Sequence, residues 1–200
     1  MTSKAVIKEL NNNNVNIEEA KEIQYKPMDD EDIKHYFPNA KIMAYNELSD
    51  YETIDDLLPN EIDAIFLLYE ETENYGHWVL IAKYNDTIEI FNSYGDSYID
   101  EPLYWVKYDV RKKLGSAKPY LTNLLKNTNY NDYDIIFNAY DFQNDKNLKI
   151  ATCGRWCCLR LKTILNKNMS LQEFINMMKN VRKETGLTYD IIVSDLINKY

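Results

Sequence analysis

The alternation of apolar and polar positions divides the 200-residue chain into a polar beginning, a strand-rich middle and a helical end. Residues 1–39 are polar, with the run Asn11–Asn14 and the acidic cluster Asp29–Asp32, a composition that buries little and predicts a partly ordered arm with one short helix. Ser49-Asp50-Tyr51-Glu52 has the spacing of a capping box. Ile54, Leu57 and Leu58 follow at helical spacing and Pro59 stops them, so a short helix is expected here. Three apolar runs rich in strand formers come next: Asp63–Tyr69, His77–Tyr84 and Thr87–Tyr94. The polar stretch Glu71–Gly76 separates the first two, and Asn85-Asp86 is short enough to fold the last two into a hairpin. Leu103–Val110 fits a helix or an extended segment equally. Pro119–Leu125 reads as a short helix starting at proline, and Tyr133–Phe142 returns to strand composition. From Cys153 the period becomes helical, with Cys157, Leu161, Ile164 and Leu165 on one face. A second Ser-x-x-Glu box, Ser170 to Glu173, opens a helix ending near Gly186, and Thr188–Tyr200 supplies the last helix. Strands followed by helices, with no internal repeat, predict an α+β fold in which residues 40–200 form a single domain around a central mixed or antiparallel sheet flanked by helices.

Charge and cysteine count narrow the class of function. Lys and Arg number 23 against 32 Asp and Glu, a net charge of −9, which repels phosphate backbones and makes nucleic acid a poor expectation for a partner. Apolar residues make up 45% and 17 tyrosines add further bulk, enough for a packed core. No apolar run approaches the length needed to span a bilayer, and Met1–Leu10 lacks the layout of a signal peptide, so no membrane association is expected. Three cysteines, two of them adjacent, do not make a disulfide framework and agree with a reducing compartment.

The candidate chemistry lies where the strand-rich middle meets the helical end. Cys153 follows the polar loop Asn144–Lys149 and starts a helix, where N–H groups and the macrodipole favour a thiolate. Cys157 and Cys158 fall on the apolar stripe and read as core. A thiol nucleophile needs an imidazole, and of the two histidines His35 sits in the acidic arm while His77 heads a strand, which makes His77 the base. Asn92, near the end of the neighbouring hairpin strand, is placed to accept from the far ring nitrogen; Asp96 or Glu89 are alternatives for that role. The backbone N–H of Cys153 and the side-chain amide of Gln143 are candidate oxyanion donors, and Trp78 and Gly154 are candidates for the site wall. This chemistry requires no metal and no organic cofactor.

Gly76-His77-Trp78, Phe91-Asn92-Ser93-Tyr94-Gly95, Gln143 and Cys153-Gly154-Arg155-Trp156-Cys157-Cys158, in that order, resemble the signature of the adenain-like and SUMO-protease-like cysteine peptidases. The Cys-Gly-x-aromatic-Cys-Cys string is most similar to the adenovirus type of maturation protease and to related DNA-virus or virophage proteases. The resemblance spans roughly Asp63 to Leu165. It departs from the pattern in using Asn92 where the family has an acid, and in the longer gap between Gln143 and Cys153. The resemblance implies a papain-like fold in circularly permuted order, His before Cys, with the nucleophile at a helix N-terminus. It implies a thiol endopeptidase cleaving at Gly or other small residues, above all a viral maturation protease trimming capsid or core precursors in the host cytoplasm or the virion, with an activating peptide as a further partner. An isopeptidase acting on SUMO or ubiquitin conjugates, or a catalytically idle capsid-associated module, are the rival expectations.

Overall fold

The computed structural model describes residues 2–12, 17–95, 99–100, 102–128, 132–144, 146–147 and 149–198. In chain order, α1 (Ser3–Asn12), α2 (Ile17–Ile23) and α3 (Asp30–Tyr36) precede β1 (Lys41–Ala44), a 3-10 helix (Tyr45–Asp50) and α4 (Ile54–Leu57). The strands β2 (Asp63–Thr72), β3 (Tyr75–Tyr84) and β4 (Thr87–Phe91) lead to α5 (Pro102–Trp105), α6 (Tyr108–Lys113), α7 (Tyr120–Asn127) and β5 (Asp134–Phe137). The chain closes with α8 (Cys153–Lys167), α9 (Leu171–Thr185) and α10 (Tyr189–Leu196). The fold is α+β. Two compact units form: a helical unit of Met1–Pro38, Ser93–Gly95 and Ala139–Tyr200, and a sheet unit of Asn39–Asn92 and Asp96–Asn138.

The sheet unit is built on an open, mixed sheet with its strands in sequence order. β2, β3 and β4 are antiparallel neighbours, and β1 and β5 add in parallel at the two edges. Ile65, Leu67 and Tyr69 of β2, Val79 and Ile81 of β3, and Ile88 and Ile90 of β4 alternate onto one face. They bury against Leu121, Leu124 and Leu125 of α7, Ile54 and Leu57 of α4, and Tyr45 and Leu48 of the 3-10 helix.

Several details differ from the pattern expectations. Glu71–Gly76 is not a loop: β2 runs to Thr72 and β3 begins at Tyr75, with Glu73-Asn74 as the turn and Asn74 in the left-handed region at φ 59°. A strand at Lys41–Ala44, too short to register as a pattern, pairs with β2. The Ser49 to Glu52 box caps nothing, because Ser49 lies inside the 3-10 helix and Tyr51 is extended; α4 is capped by Thr53, with Asp56 completing the box. Leu103–Val110 resolves into α5 and the start of α6, and the last strand is confined to Asp134–Phe137. The Asn85-Asp86 link is the tight turn expected, both residues at positive φ (47° and 56°), as a two-residue hairpin requires.

In the helical unit, residues 1–39 carry three helices where one was expected; α1 packs on α9 and α10, α2 on α10, and α3 on α8. Val6, Leu10, Ala20, Ile23 and Ile33 are buried. The centre is aromatic, with Phe142 stacked on Trp156 at 4.7 Å and edge-on to Phe174 and Tyr189. The Ser170 box forms as read, Ser170 Oγ accepting from Glu173 N–H and Glu173 Oε2 accepting from Ser170 N–H, and α9 ends at Gly186 in the left-handed region. Leu165, counted on the buried stripe of α8, is half exposed beside the end of that helix.

Candidate active site

His77 sits two residues into β3, paired with Tyr69 across the ladder and sharing the strand parity of Val79 and Ile81. Its position depends on Gly76 just before it. A Cβ at residue 76 would lie 2.0 Å from the Tyr69 carbonyl oxygen, so only glycine allows β3 to approach β2 here. The imidazole is 4% exposed, and its Nε2 lies 2.8 Å from Asn92 Oδ1. Asn92 follows the last residue of β4 and is itself buried. Its backbone carbonyl accepts from the Asn138 side chain at 2.7 Å, which fixes the Asn92 backbone. Burial disfavours the imidazolium and lowers the His77 pKa to about 4, the Asn92 bond working weakly in the other direction. The ring is therefore neutral at physiological pH. An amide oxygen can only accept, so Nε2 carries the hydrogen and the lone pair is on Nδ1.

Cys153 is the first residue of α8 and is 8% exposed, while Cys157 and Cys158 are fully buried. Burial pushes both of those thiols up, away from reactivity. None of the three is in a disulfide. The first backbone bond of α8 runs from Trp156 N–H to Thr152 O, and Thr152 gives no side-chain cap. Its hydroxyl instead donates to Asp190 Oδ1 at 2.7 Å. The chain on either side of Cys153 is tied to the N-terminal segment, Ala151 N–H donating to Gln24 O at 2.8 Å and Arg155 Nη1 to Lys26 O at 2.6 Å. Gly154 is buried within the first turn.

Gln143, 1% exposed, joins three segments of the helical unit. Its Oε1 accepts from Ser93 Oγ at 2.9 Å, and its Nε2 donates to Ile150 O at 3.0 Å and contacts Tyr94 Oη at 3.2 Å. The Ser93 carbonyl also accepts from both Phe142 and Gln143 N–H at 2.9 Å. Of the remaining sequence candidates, Trp78 alternates to the face of β3 opposite His77, Glu89 accepts from the Tyr84 hydroxyl, and Asp96 lies outside the described residues. The structure thus brings His77 and Asn92 together in the sheet unit, and places Gln143 and Cys153 in the helical unit. Among the described residues no cluster of His, Cys, Asp or Glu could hold a metal ion, and no helix is long and apolar enough to cross a membrane.

Comparison with known proteins gives a relation but no chemistry. No family model matches the sequence. Over 156 residues the chain is 38% identical to "Uncharacterized protein V9" of Sputnik virophage, an alignment covering 78% of this chain and 84% of the relative. The chain belongs to the family of that virophage protein. Membership in this family ties the sequence to a virus-encoded relative. Asp190 and Thr152 escaped the pattern reading. The signal for Asp190 was present: an acid on the apolar stripe of α10, in step with Val193 and Ile197, is a buried carboxylate.

Proposed function

We propose that this chain is a cysteine endopeptidase of the adenain-like and SUMO-protease-like type, papain-like in permuted order. Cys153 Sγ attacks the scissile carbonyl carbon while its proton passes to His77 Nδ1; the carbonyl oxygen becomes an oxyanion. His77 then protonates the leaving amine as the C–N bond breaks, and water hydrolyses the thioester to release the second product and the thiol. Asn92 orients His77. The Cys153 N–H and Gln143 Nε2 are the oxyanion donors, Gln143 exchanging its contact with Tyr94 Oη for the developing charge. Gly154, in the first turn of α8 beside Cys153, contributes to the wall of the site, whereas Trp78 lies on the face of β3 away from His77. No cofactor enters the scheme.

The observation that carries this reading is the 2.8 Å bond from His77 Nε2 to Asn92 Oδ1, which selects the tautomer a general base needs. The start of α8 at Cys153 supports it. The virophage relative favours a virus-encoded protein, and capsid or core precursors as substrates, cleavage at Gly or other small residues, and action in the host cytoplasm or the virion are what the motif resemblance adds to this proposal. The test is mass spectrometry of the structural precursors encoded beside this protein, incubated with wild type, Cys153→Ser, His77→Ala and Asn92→Ala. Cleavage after small residues is expected from wild type. Cys153→Ser and His77→Ala fall to background, and Asn92→Ala keeps a reduced rate because it orients rather than reacts. Absence of cleavage together with labelling by a ubiquitin-like vinyl sulfone would replace this reading with an isopeptidase. Absence of both would make the chain an inactive binding module.

A further inference from the structure

We propose that Asp190 is a positioning residue for the Cys153 thiol, holding open the N-terminus of α8 by drawing the Thr152 hydroxyl away from it. The proposal rests on the reading of Cys153 as the nucleophile. All the residues involved lie in the helical unit.

A threonine that precedes a helix ordinarily turns its side-chain oxygen onto the first-turn N–H groups and stabilises the helix that way. Thr152, fully buried, does not: it makes no side-chain cap, and its hydroxyl donates to Asp190 Oδ1 at 2.7 Å. The same carboxylate accepts at its other oxygen, Oδ2, from Asn144 N–H at 3.2 Å. One buried side chain therefore fixes both ends of the segment between Gln143 and Cys153, at the residue after the first and the residue before the second. Thr188 starts α10 by accepting from Ile191 N–H, so Asp190 is set on a firmly capped first turn. The consequence is electrostatic. With Thr152 turned away, the dipole and N–H groups at the start of α8 act on the residue that opens the helix, which is Cys153.

The position costs stability. Asp190 is 3% exposed, and burial, aided by Asp141, raises its pKa against the Thr152 hydroxyl, the Asn144 N–H and the Trp156 side chain, which lower it, so these groups do not fully replace water.

The experiment is the rate of Cys153 alkylation by iodoacetamide as a function of pH on the full folded chain, read by peptide mass spectrometry, with thermal unfolding in parallel. Cys157 and Cys158 are buried and do not compete. The wild-type thiol is expected to titrate below the ordinary thiol range. Asp190→Leu, which cannot accept from the Thr152 hydroxyl and frees it to cap the first turn, moves the titration upward by about one pH unit, a roughly tenfold slower reaction at neutral pH, and the double variant Asp190→Leu/Thr152→Val, with no hydroxyl to cap the helix, returns to or below the wild-type titration. Thr152→Val alone, with no hydroxyl to draw away, and Thr152→Ser, which keeps the bond to Asp190, both retain the wild-type profile. If Asp190→Leu keeps the wild-type profile, if its shift persists in the double variant, or if Thr152→Val alone moves the titration upward, the positioning role is overturned and the nucleophile reading stands. If the wild-type thiol itself titrates in the ordinary range, both fall together.

Discussion

In the sheet unit the imidazole of His77 is placed by hairpin pairing between consecutive strands, with glycine at the point of closest approach and apolar neighbours along the same face. In the helical unit the thiol of Cys153 is flanked by polar contacts that come mostly from distant parts of the chain: Thr152 to Asp190, Ala151 to Gln24, Arg155 to Lys26, and Gln143 to Ser93 and Ile150. The contrast has a physical reason. A strand fixes the direction of its side chains by register alone, so a base on a strand needs one further bond to set its ring. A helix N-terminus frays unless its flanks are held, so a reactive group there needs several. The sheet unit should accordingly be most sensitive to backbone volume, and the helical unit to deletion of buried polar groups.

Gly76→Ala is the harshest test on the sheet side. The added methyl would meet the Tyr69 carbonyl at 2.0 Å and Glu70 Cα at 2.8 Å, backbone atoms that cannot rotate aside. The expected loss is roughly 4 kcal/mol, the scale of forced backbone displacement, measured by denaturant unfolding. A loss below the level of an ordinary surface substitution would mean that β2 and β3 separate easily and that register does not hold His77.

Acid comes next. The folded pKa of His77 lies near 4 against 6.5 for the ordinary group. Between these values the unfolded chain binds a proton that the folded chain does not, so this stability contribution is fully present above pH 6.5 and is lost as pH falls toward 4. The total is about 3 kcal/mol for a fully buried ring. His77→Gln removes this component, so the difference in stability between wild type and variant should change over pH 6.5 to 4 and be level below it. A difference that stays constant across this window would show that the imidazole is not held neutral by burial.

On the helical side the corresponding test is Gln143→Leu, which keeps the volume and leaves the Ser93 hydroxyl and the Ile150 carbonyl without their partner. The expected loss is about 2 kcal/mol. A neutral result would remove Gln143 from the structure of this segment and leave oxyanion donation as its remaining role.

What could be read in the sequence follows the same division. The start of α8 at Cys153, the Ser170 box and the end of α9 at Gly186 were legible because helix termini are written in neighbouring residues. The pairing of His77 with Asn92 was legible because a two-residue turn, Asn85-Asp86, sets the register of their hairpin. The short β1 was not, since its partner β2 lies more than twenty positions further along the chain, and the pairing of Glu70 with Gly76 and the cap at Thr53 were not, since polar composition hides the first and the adjacent Ser49 string the second. Asp190 was missed for a different reason: its partners, Thr152 and Asn144, lie about forty positions earlier, and a single acid on an apolar stripe carries no mark of whom it binds.

The two Ser-x-x-Glu strings make the smallest and cleanest test of that division, because the same spacing occurs once in each unit. At Ser170 the hydroxyl and the Glu173 carboxylate close a reciprocal box at the start of a fifteen-residue helix. At Ser49 the hydroxyl lies within a 3-10 helix, and the neighbouring box belongs to Thr53 and Asp56. Ser170→Ala should therefore cost about 1 kcal/mol, the ordinary value of an N-cap. Ser49→Ala should fall within about 0.5 kcal/mol of wild type, as an exposed substitution does. Thr53→Ala should take the cost that the sequence pattern assigns to Ser49. Equal losses at Ser49 and Ser170 in chemical denaturation would mean that the local signal decides the structure in both units, and the contrast between them would fail at its simplest point.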